Sequence, residues 1–400
     1  MQQGWIRAAL LLCAGLTLGG CTLSDSLRHD DIRSVWARPD NAVAHPTVIF
    51  ATDRAADDSA LGYGLHWDSA AHCGITAVAI PTAFRAGAMP RWAAAEKPRT
   101  IACDGKTDME TFARAVADEA KAQHCGSVLL FVHGYNQTFQ TALMRSGQLA
   151  TDTQWSCVNA LFSWSSEGKY DRYAADIERS GYAVPVLIDV IRALAATGLR
   201  VNVVAHSMGN RITMIALASL CAHRPQRLVD ELLLVAPDVS AEHDNDDFGH
   251  LLEHSAACVR RATVYASEND LILITSEGVH GGIPRAGRVP DKDLQYVEGP
   301  YGLVDVIDAS RAPGDPFGHG YFVLSYEMMD DMMLALAGVA VENRAGMSLP
   351  GGPTLACANP DGMPCLGNAR RYLLQVAPGR GPDFQTRLLR RLWPLIFRVQ

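Results

Sequence analysis

Short apolar runs rich in β-branched residues recur along the chain, and most of them are bounded by turn residues. Several are apolar at nearly every position, which is typical of strands buried on both faces of a sheet. The predicted strands are TVIFATD (47–53), ITAVAIP (75–81), SVLLFVHG (127–134), VNALFSW (158–164), VNVVAHS (201–207), ELLLVAPD (231–238), ATVYAS (262–267) and LVDVIDAS (303–310).

Apolar residues at helical spacing fill several of the gaps between these strands. The clearest helical patterns are METFARAVADEAKAQ (109–123), YAVPVLIDVIRALAAT (182–197) and RITMIALASLCAH (211–223). Strands that alternate with helices predict an α/β fold, with a mostly parallel central sheet of about eight strands and helices on both faces. The first two strands precede any clear helix, so we expect them to pair antiparallel at one edge.

The first 20 residues read as an export signal rather than as part of the fold. Arg7 precedes the apolar stretch AALLLCAGLTL, which is too short to span a bilayer. The stretch ends in LGGC at Cys21, which resembles the lipobox of bacterial lipoproteins. That resemblance implies cleavage before Cys21, lipidation of its thiol and, with Thr22 next, attachment to the outer membrane facing the periplasm. The alternative is a secreted or soluble periplasmic protein.

Composition and charge narrow the classes of partner. The chain is 48% hydrophobic and 20% charged, which is ordinary for a globular protein. Its net charge is −8 and it has no block of Lys and Arg, so nucleic acid is not an expected partner. A membrane partner is expected only through the lipidated N-terminus.

The order of patterns predicts four segments. A signal peptide (1–20) is followed by a linker from Cys21 (21–44), an α/β domain (45–340) and a C-terminal extension (341–400). Within the domain, the Gly- and Pro-rich residues 276–300 predict a long loop. The extension ends in RLLRRLWPLIFRVQ, for which docking on the domain is favoured over binding to an anionic surface.

Cysteine usage agrees with export. The chain has 10 Cys; one lies in the signal and one at the anchor, and an even number remains, which favours disulfides in an oxidising compartment. The alternative is that some thiols are reduced and simply buried. Positions along the predicted elements suggest four pairs: Cys73–Cys103, Cys125–Cys157, Cys221–Cys258 and Cys357–Cys365.

The stretch VNVVAHSMGN (201–210) carries the strongest chemical signal. A buried strand stops at Ser207 and a helical pattern follows it, with small residues two positions away on each side, Ala205 and Gly209. This is the context of a nucleophile elbow, usually written G-x-S-x-G, which projects a serine hydroxyl from the edge of the sheet. Ala205 departs from the pattern but is still small.

A serine needs a base and an acid, and in this type of fold they follow it in the order acid, then His. His319 follows the last predicted strand, and His280 is the alternative base. Asp270 ends the stretch ATVYASEND, just after the strand before it, and Asp238 is the alternative acid one strand earlier. Both acids could instead cap helices or turns.

A tetrahedral intermediate needs hydrogen-bond donors. The expected donors are the backbone N–H groups of Met208 and Tyr135, with Gly134 allowing close approach of the backbone. We expect three further residues to shape the loops around the pocket, with a structural hydrogen bond favoured over catalysis for the first: His133, Asn136 and His206.

Five motifs together resemble, in chain order, the DUF900 family of alpha/beta hydrolases, whose members are described as esterase- or lipase-like. They are VHGYNQTF, VVAHSMGNR, LLLVAPDV, YASENDLIL and GHGYF. The resemblance covers about residues 45–335 and implies the α/β-hydrolase fold, with Ser207, Asp270 and His319 at the matching positions.

The sequence therefore predicts a serine hydrolase, carboxylesterase- or lipase-like, that cleaves a small-molecule or lipid ester through an acyl-enzyme and needs no metal or cofactor. Two alternatives stay open: an envelope acyltransferase, and a non-catalytic envelope binding lipoprotein on a hydrolase scaffold. HLLEH (250–254) matches an inverted zinc-protease pattern, but no third ligand is evident in the sequence, so no metal site is predicted.

Overall fold

The structure, a computed structural model, describes the central part of the chain and short segments beyond it. The described residues are 43–81, 95, 97–101, 109–241, 247–288, 304–312, 314–344, 347–348 and 370–374. The expected signal peptide, Cys21, Cys103 and the Cys357–Cys365 pair lie outside them, as does most of the predicted extension.

An eleven-stranded sheet forms the centre of the described residues, in the order β12-β13-β11-β10-β9-β8-β6-β7-β2-β3-β5. Every neighbouring pair from β13 to β2 is parallel, and β12, β3 and β5 pair antiparallel at the edges. A small separate ribbon joins β1 to β4. The strands are β1 (Val43–Ala44), β2 (Thr47–Ala56), β3 (Tyr63–Ala77), β4 (Ile80–Pro81), β5 (Arg99–Ile101), β6 (Ser127–Val132), β7 (Val158–Ser163), β8 (Arg200–His206), β9 (Val229–Val235), β10 (Val259–Ala266), β11 (Val304–Asp308), β12 (Met347–Ser348) and β13 (Arg370–Leu374).

Helices cover both faces of this sheet. Strand β6 shows how, because its successive side chains alternate between two buried clusters, as the pleat of a strand requires. Val128, Leu130 and Val132 pack on the side of α1, α3 and α4, whereas Leu129 and Phe131 pack on the side of α2 and α8. The α-helices are α1 (Met109–Ala122), α2 (Phe139–Asp152), α3 (Tyr173–Ala196), α4 (Met208–His223), α5 (Phe248–Ser255), α6 (Leu271–Val279), α7 (Tyr321–Leu324) and α8 (Tyr326–Leu336).

The predicted fold class, a mostly parallel sheet between two layers of helices, is confirmed. The first two predicted strands do pair antiparallel near one edge, as β2 and β3. The expectation that residues 303–310 form the last strand is wrong. Strand β13 follows it in the chain and pairs parallel with β11, so a segment after residue 340 extends the sheet. Its sequence, RRYLL, is short and begins with two charges, so its pattern gives little strand signal.

The loop predicted for residues 276–300 begins later than expected. Its first residues belong to α6, which runs to Val279, and residues 281–288 form turns. Helix α6 is continuous because its apolar start, LILIT, supplies the buried face that the Gly-rich part lacks. Residues 289–300 lie outside the described ranges. None of the described helices is long and apolar enough to cross a membrane.

Two disulfides join neighbouring elements of the domain. Cys125 pairs with Cys157, joining the segments that enter β6 and β7, and Cys221 pairs with Cys258, joining the end of α4 to the start of β10. Both pairings match the sequence-based prediction. Cys73 is also disulfide-bonded. Loops of this size make each bond worth about 2–4 kcal/mol of stability.

Candidate active site

Ser207 occupies the sharp turn between β8 and α4. Its backbone has φ +52° and ψ −124°, a conformation that L-residues with a side chain rarely adopt and that costs on the order of 1–3 kcal/mol. Hydrogen bonds on both sides hold it: the Ser207 N–H donates to Val235 O at 2.9 Å, and the Asn210 side chain donates to Ser207 O at 3.0 Å and to Val235 O at 2.9 Å. The neighbouring strand β9 therefore stabilises the strained turn.

The small residues of the elbow are required by close backbone contacts. A Cβ atom on Gly209 would lie 2.4 Å from His133 O and 2.7 Å from Val132 O, well inside van der Waals contact. Ala205, on the other side, is completely buried in the sheet. The motif in the sequence thus reflects the crossing of α4 over the end of β6.

Asp270 and His319 form a pair at the same edge of the sheet as the elbow. The Nδ1 atom of His319 lies 2.7 Å from Oδ2 of Asp270. The other oxygen of Asp270 accepts a hydrogen bond from Leu273 N–H at 3.0 Å and caps α6. Asp270 is completely buried. Asp270 is therefore both the partner of a histidine and a helix cap, the two roles that the sequence suggested for it.

The loop that carries His319 is built around Asp315, which the sequence reasoning missed. The Asp315 carboxylate accepts hydrogen bonds from Phe317 N–H at 2.8 Å and Gly320 N–H at 2.6 Å, on both sides of the imidazole. Phe317 O in turn accepts from Leu271 N–H at 2.9 Å, next to Asp270. An Asp followed by Pro and two Gly was the available signal, since this composition is typical of a turn built by a side chain.

The electrostatics of the pair favour a protonated imidazole. Burial acts to lower the pKa of His319, but the Asp270 carboxylate, with a further contribution from Asp315, outweighs it and the pKa is raised above its usual value. Burial also raises the pKa of Asp270, against the attraction of His319. The buried carboxylate therefore interacts strongly with the imidazole, as expected of an acid that holds a base in one tautomer.

The imidazole of His319 lies beside the residue that precedes Ser207. The ring of its neighbour His206 has its centroid 4.8 Å from that of His319, which places the imidazole against the elbow. Among the described residues the Ser207 hydroxyl makes no hydrogen bond. Hydrogen bonds of this kind often tighten only when a substrate is bound.

His206 packs as an uncharged ring between His319 and Phe322. Its ring stacks on Phe322 at 4.3 Å between centroids and contacts His319 on another side. Burial, and then the neighbouring His319, hold its pKa well below the usual value. A neutral ring that fills this gap keeps the His319 imidazole in place without competing for its proton.

The segments that carry the two expected oxyanion donors, Met208 and Tyr135, meet at Ser207. Met208 is the first residue of α4, so its N–H has no acceptor within the helix. On the other side, a Cβ atom on Gly134 would lie 2.8 Å from the Ser207 Cβ, so this loop passes directly against the serine. Tyr135 follows it, and Asn136, at φ +60°, donates its N–H to Asp176 at 3.2 Å and fixes the turn.

His133 has the structural role that the sequence analysis favoured. Its Nδ1 atom lies 2.8 Å from Gly134 O, its ring stacks on Trp164, and Trp164 Nε1 donates to His133 O at 2.7 Å. Burial lowers the pKa of His133 to about 3, so the ring is neutral at any physiological pH. Through its contact with Gly134 O, this ring stabilises the loop that follows β6.

Arg54 is a second positioning residue that the sequence reasoning did not single out. It is completely buried at the end of β2. Its guanidinium donates to Gln137 O at 2.8 Å and Ser166 O at 3.1 Å, and so joins the loops that follow β6 and β7. Burial lowers its pKa to about 10, which still leaves it charged at neutral pH. The signal was a basic residue that directly follows an apolar strand, in TVIFATDR.

The alternative acid and base, Asp238 and His280, belong to a different cluster. Asp238 accepts hydrogen bonds from Tyr173 at 2.5 Å, Ser276 at 2.6 Å and Arg285 at 2.8 Å. Burial opposes its charge, but Arg285 and the two hydroxyls hold its pKa below the usual value. His280 lies with its Nδ1 2.8 Å from Ser276 O. The carboxylate that accepts the hydrogen bond from His319 is that of Asp270 and not that of Asp238.

The His pair of HLLEH lies apart on α5, with the rings of His250 and His254 4.0 Å apart between centroids. Within the part of the chain that the structure describes, no group of three or more His, Cys, Asp or Glu residues is arranged to hold a metal ion.

A mostly parallel sheet with a serine at a strand-to-helix elbow, and with an acid and an imidazole at the same edge, defines an alpha/beta hydrolase. Residues 108–336, more than half of the chain, match the model of one family in this class, described as alpha/beta hydrolase of unknown function (DUF900), and the chain belongs to that family. A search of curated protein sequences finds no match.

A search of solved structures returns three hydrolases among its matches. A dienelactone hydrolase from Anabaena variabilis is 12% identical, with a TM-score of 0.35 over 54% of this chain and 87% of its own. A fungal esterase from Rhizomucor miehei is 14% identical, with 0.31 over 54% and 75%. A hyperthermophilic esterase from Pyrobaculum calidifontis is 11% identical, with 0.31 over 76% and 84%.

Proposed function

We propose that this protein is a serine hydrolase that cleaves carboxylic esters, in the manner of a carboxylesterase or lipase. The observation that carries the proposal is the 2.7 Å contact between His319 and the buried Asp270, at the edge of the sheet where Ser207 occupies a strained elbow. Strain and a buried acid–imidazole pair are features that folding alone disfavours, and they are concentrated at functional sites.

In the proposed reaction, His319 accepts the proton of the Ser207 hydroxyl as the oxygen attacks the ester carbonyl. Asp270 holds the imidazole in the tautomer whose Nε2 is free to do so and stabilises the imidazolium that forms. The N–H groups of Met208 and Tyr135 donate to the oxyanion, and each such donor is worth about 10²–10³ in kcat. His319 then protonates the leaving alcohol, and the acyl group stays on Ser207.

Water completes the cycle by the same steps in reverse order. His319 takes a proton from the water as it attacks the acyl carbonyl, the oxyanion forms at the same donors, and the acid is released when the proton returns to Ser207. Each step uses only protein groups and water, so the mechanism calls for no cofactor.

Labelling with a fluorophosphonate tests the proposal directly, because this reagent phosphonylates an activated serine. We expect labelling of the wild type and of the Ser219→Ala control, and none of Ser207→Ala. Labelling of all three proteins, or of none, contradicts the proposal; the latter result favours the non-catalytic binding lipoprotein.

Hydrolysis and acyl transfer differ in what resolves the acyl-enzyme. We expect a panel of p-nitrophenyl esters to give the free acid as the product even when an acceptor alcohol is added. A transferred ester as the main product would instead identify the acyltransferase.

We further propose that the protein is anchored to the membrane by lipid on Cys21 and acts in the periplasm. The LGGC sequence at the end of the export signal supports this. Incorporation of radiolabelled palmitate into the wild type, and its loss in Cys21→Ser, is the expected result. Equal labelling of both, or recovery of the unlabelled wild type from the soluble periplasm, contradicts it.

A further inference from the structure

We propose that Tyr135, Tyr173 and His280 form an aromatic wall beside Ser207 that binds an uncharged, apolar group of the ester substrate. The inference rests on the proposed ester hydrolysis, since it names the part of the substrate that the site selects. It is carried by where these three rings lie, by what their polar atoms are bonded to, and by the charges behind them.

Two segments that contact Ser207 connect it to this aromatic wall. Gly134 passes against the Ser207 side chain, and Tyr135 is the next residue. On the other side, Asp238 donates its backbone N–H to Ser207 O at 3.3 Å, and its carboxylate accepts from the Tyr173 hydroxyl at 2.5 Å. The two tyrosines are therefore each one residue or one hydrogen bond away from a group that contacts the serine.

The rings of the aromatic wall are in contact with one another. Tyr135 and Tyr173 meet edge to face, with centroids 5.1 Å apart at 75°, and Tyr173 meets His280 in the same way at 6.1 Å and 85°. Both tyrosines are partly buried against the core. Edge-to-face packing fixes the rings and leaves part of their faces free to contact a ligand.

The polar atoms of the tyrosines are already engaged. The Tyr135 hydroxyl donates to Tyr170 O at 2.8 Å, and that of Tyr173 bonds to both Asp238 and Ser276. Burial raises the pKa of both phenols, so they stay uncharged. What remains available to a substrate is carbon surface, because the hydroxyl groups have their partners elsewhere.

The aromatic wall is also backed by balanced charge. The buried carboxylate of Asp238 is paired with Arg285, Nε to Oδ1, at 2.8 Å, and both side chains are almost inaccessible to solvent. A charged substrate group placed here would lose water without gaining a partner, which is unfavourable. An apolar group loses nothing and removes its own surface and that of the rings from water.

Each end of the aromatic wall adjoins a residue with a large side chain that is open to solvent. Tyr170, whose backbone receives the Tyr135 hydroxyl, is 66% exposed, and Val279, next to His280, is 56% exposed. Exposed carbon surface therefore adjoins both ends of the aromatic wall, which suits a chain or ring longer than an acetyl group.

Binding of unreactive ligands to the Ser207→Ala protein tests this inference without turnover. The probes are phenyl alkyl ketones from methyl to hexyl, which match the shape of the ester but have no bond to cleave. Titration calorimetry should show affinity rising with each added methylene, by up to about fourfold if the methylene is fully buried. We expect the rise to fall to less than half in Tyr135→Ala and Tyr173→Ala, and to persist in the control Tyr173→Phe.

The increase in affinity with chain length is measured within one preparation of each variant, so a misfolded fraction does not imitate the effect. His280→Ala is a third variant, for which we expect a smaller loss. An unchanged slope in all three alanine variants overturns the inference, as does tighter binding of a carboxylated phenyl ketone than of the neutral one. The proposed function fails separately, through absent fluorophosphonate labelling of the wild type.

Kinetics then show which part of the ester contacts the aromatic wall. In one arm the acyl chain is varied at a fixed p-nitrophenol leaving group; in the other the alcohol is varied at a fixed acetyl group. The arm in which Tyr173→Ala removes the dependence of kcat/KM on length identifies the apolar group as acyl or alcohol. No loss in either arm contradicts the inference.

Discussion

The Asp270 carboxylate serves two partners at once: Oδ2 lies 2.7 Å from Nδ1 of His319, and Oδ1 caps helix α6 through Leu273 N–H. The orientation of the imidazole is therefore coupled to the start of a helix and, through Phe317 and Leu271, to the loop in which His319 lies. A change at Asp270 should separate these roles, because an amide oxygen can still cap a helix.

Asp270→Asn should lower kcat for p-nitrophenyl ester hydrolysis by about 10³–10⁴-fold, since the amide cannot stabilise the imidazolium of His319. The fold should survive, with a loss of stability of about 1 kcal/mol or less, because Asn is also a good N-cap residue. Steady-state kinetics and urea denaturation measure the two effects.

Asp238→Asn is the matched control for the acid. It breaks the buried pair with Arg285, so we expect a loss of stability on the order of 3 kcal/mol, but a much smaller fall in kcat. If Asp238→Asn loses activity to the extent predicted for Asp270→Asn while Asp270→Asn stays active, the assignment of the acid is wrong.

The pH profile should reflect the raised pKa of His319. A general base works only when it is neutral, so kcat/KM should fall as the pH falls through a midpoint above 6.5, the usual value for His. Burial lowers this pKa, whereas the Asp270 carboxylate and, more weakly, the carboxylates of Asp315 and Asp238 raise it. Asp315→Asn should therefore move the acid limb to lower pH, whereas the exposed Asp118→Asn should leave it in place. An unchanged midpoint in Asp315→Asn, or a shift to higher pH, would contradict this assignment.

Gly209→Ala should disrupt the elbow. The added Cβ would lie 2.4 Å from His133 O, so the backbone must move, and we expect a destabilisation of about 2 kcal/mol or more together with loss of fluorophosphonate labelling. Gly181→Ala, in helix α3 with no atom within 4 Å of the new Cβ, should instead gain about 0.5–1 kcal/mol. Urea denaturation of both variants measures the difference, and equal effects would show that the close contact at Gly209 is not limiting.

Arg54→Met should destabilise the protein by about 3–5 kcal/mol, because it removes a buried cation and leaves carbonyl groups of two loops without donors. Those loops include the residues after Gly134, so labelling of Ser207 should also slow. The exposed Arg227→Met is the control and should change neither quantity. Chemical denaturation and the rate of fluorophosphonate labelling are the measurements; a stable, fully reactive Arg54→Met protein would remove Arg54 from the positioning residues.

Local patterns in the sequence determined most of the sheet and the position of the elbow. Strands such as β6 and β8 are apolar at nearly every position because both faces are covered, and that can be read from a few consecutive residues. The small residues around Ser207 reflect a close backbone contact that any chain with this turn must make. Two disulfides followed from where cysteines fall relative to the predicted strands and helices.

Contacts between distant segments were decided only by the tertiary structure. The sequence left Asp238 and Asp270 as alternatives, and only the path of the loop around Asp315 brings His319 to Asp270 while Arg285 pairs with Asp238. Strand β13 and the loop-joining hydrogen bonds of Arg54 could not be predicted from the sequence either. The physical reason is that periodicity reports which face of an element is buried, whereas a side-chain pair depends on where loops place residues that are far apart in the chain.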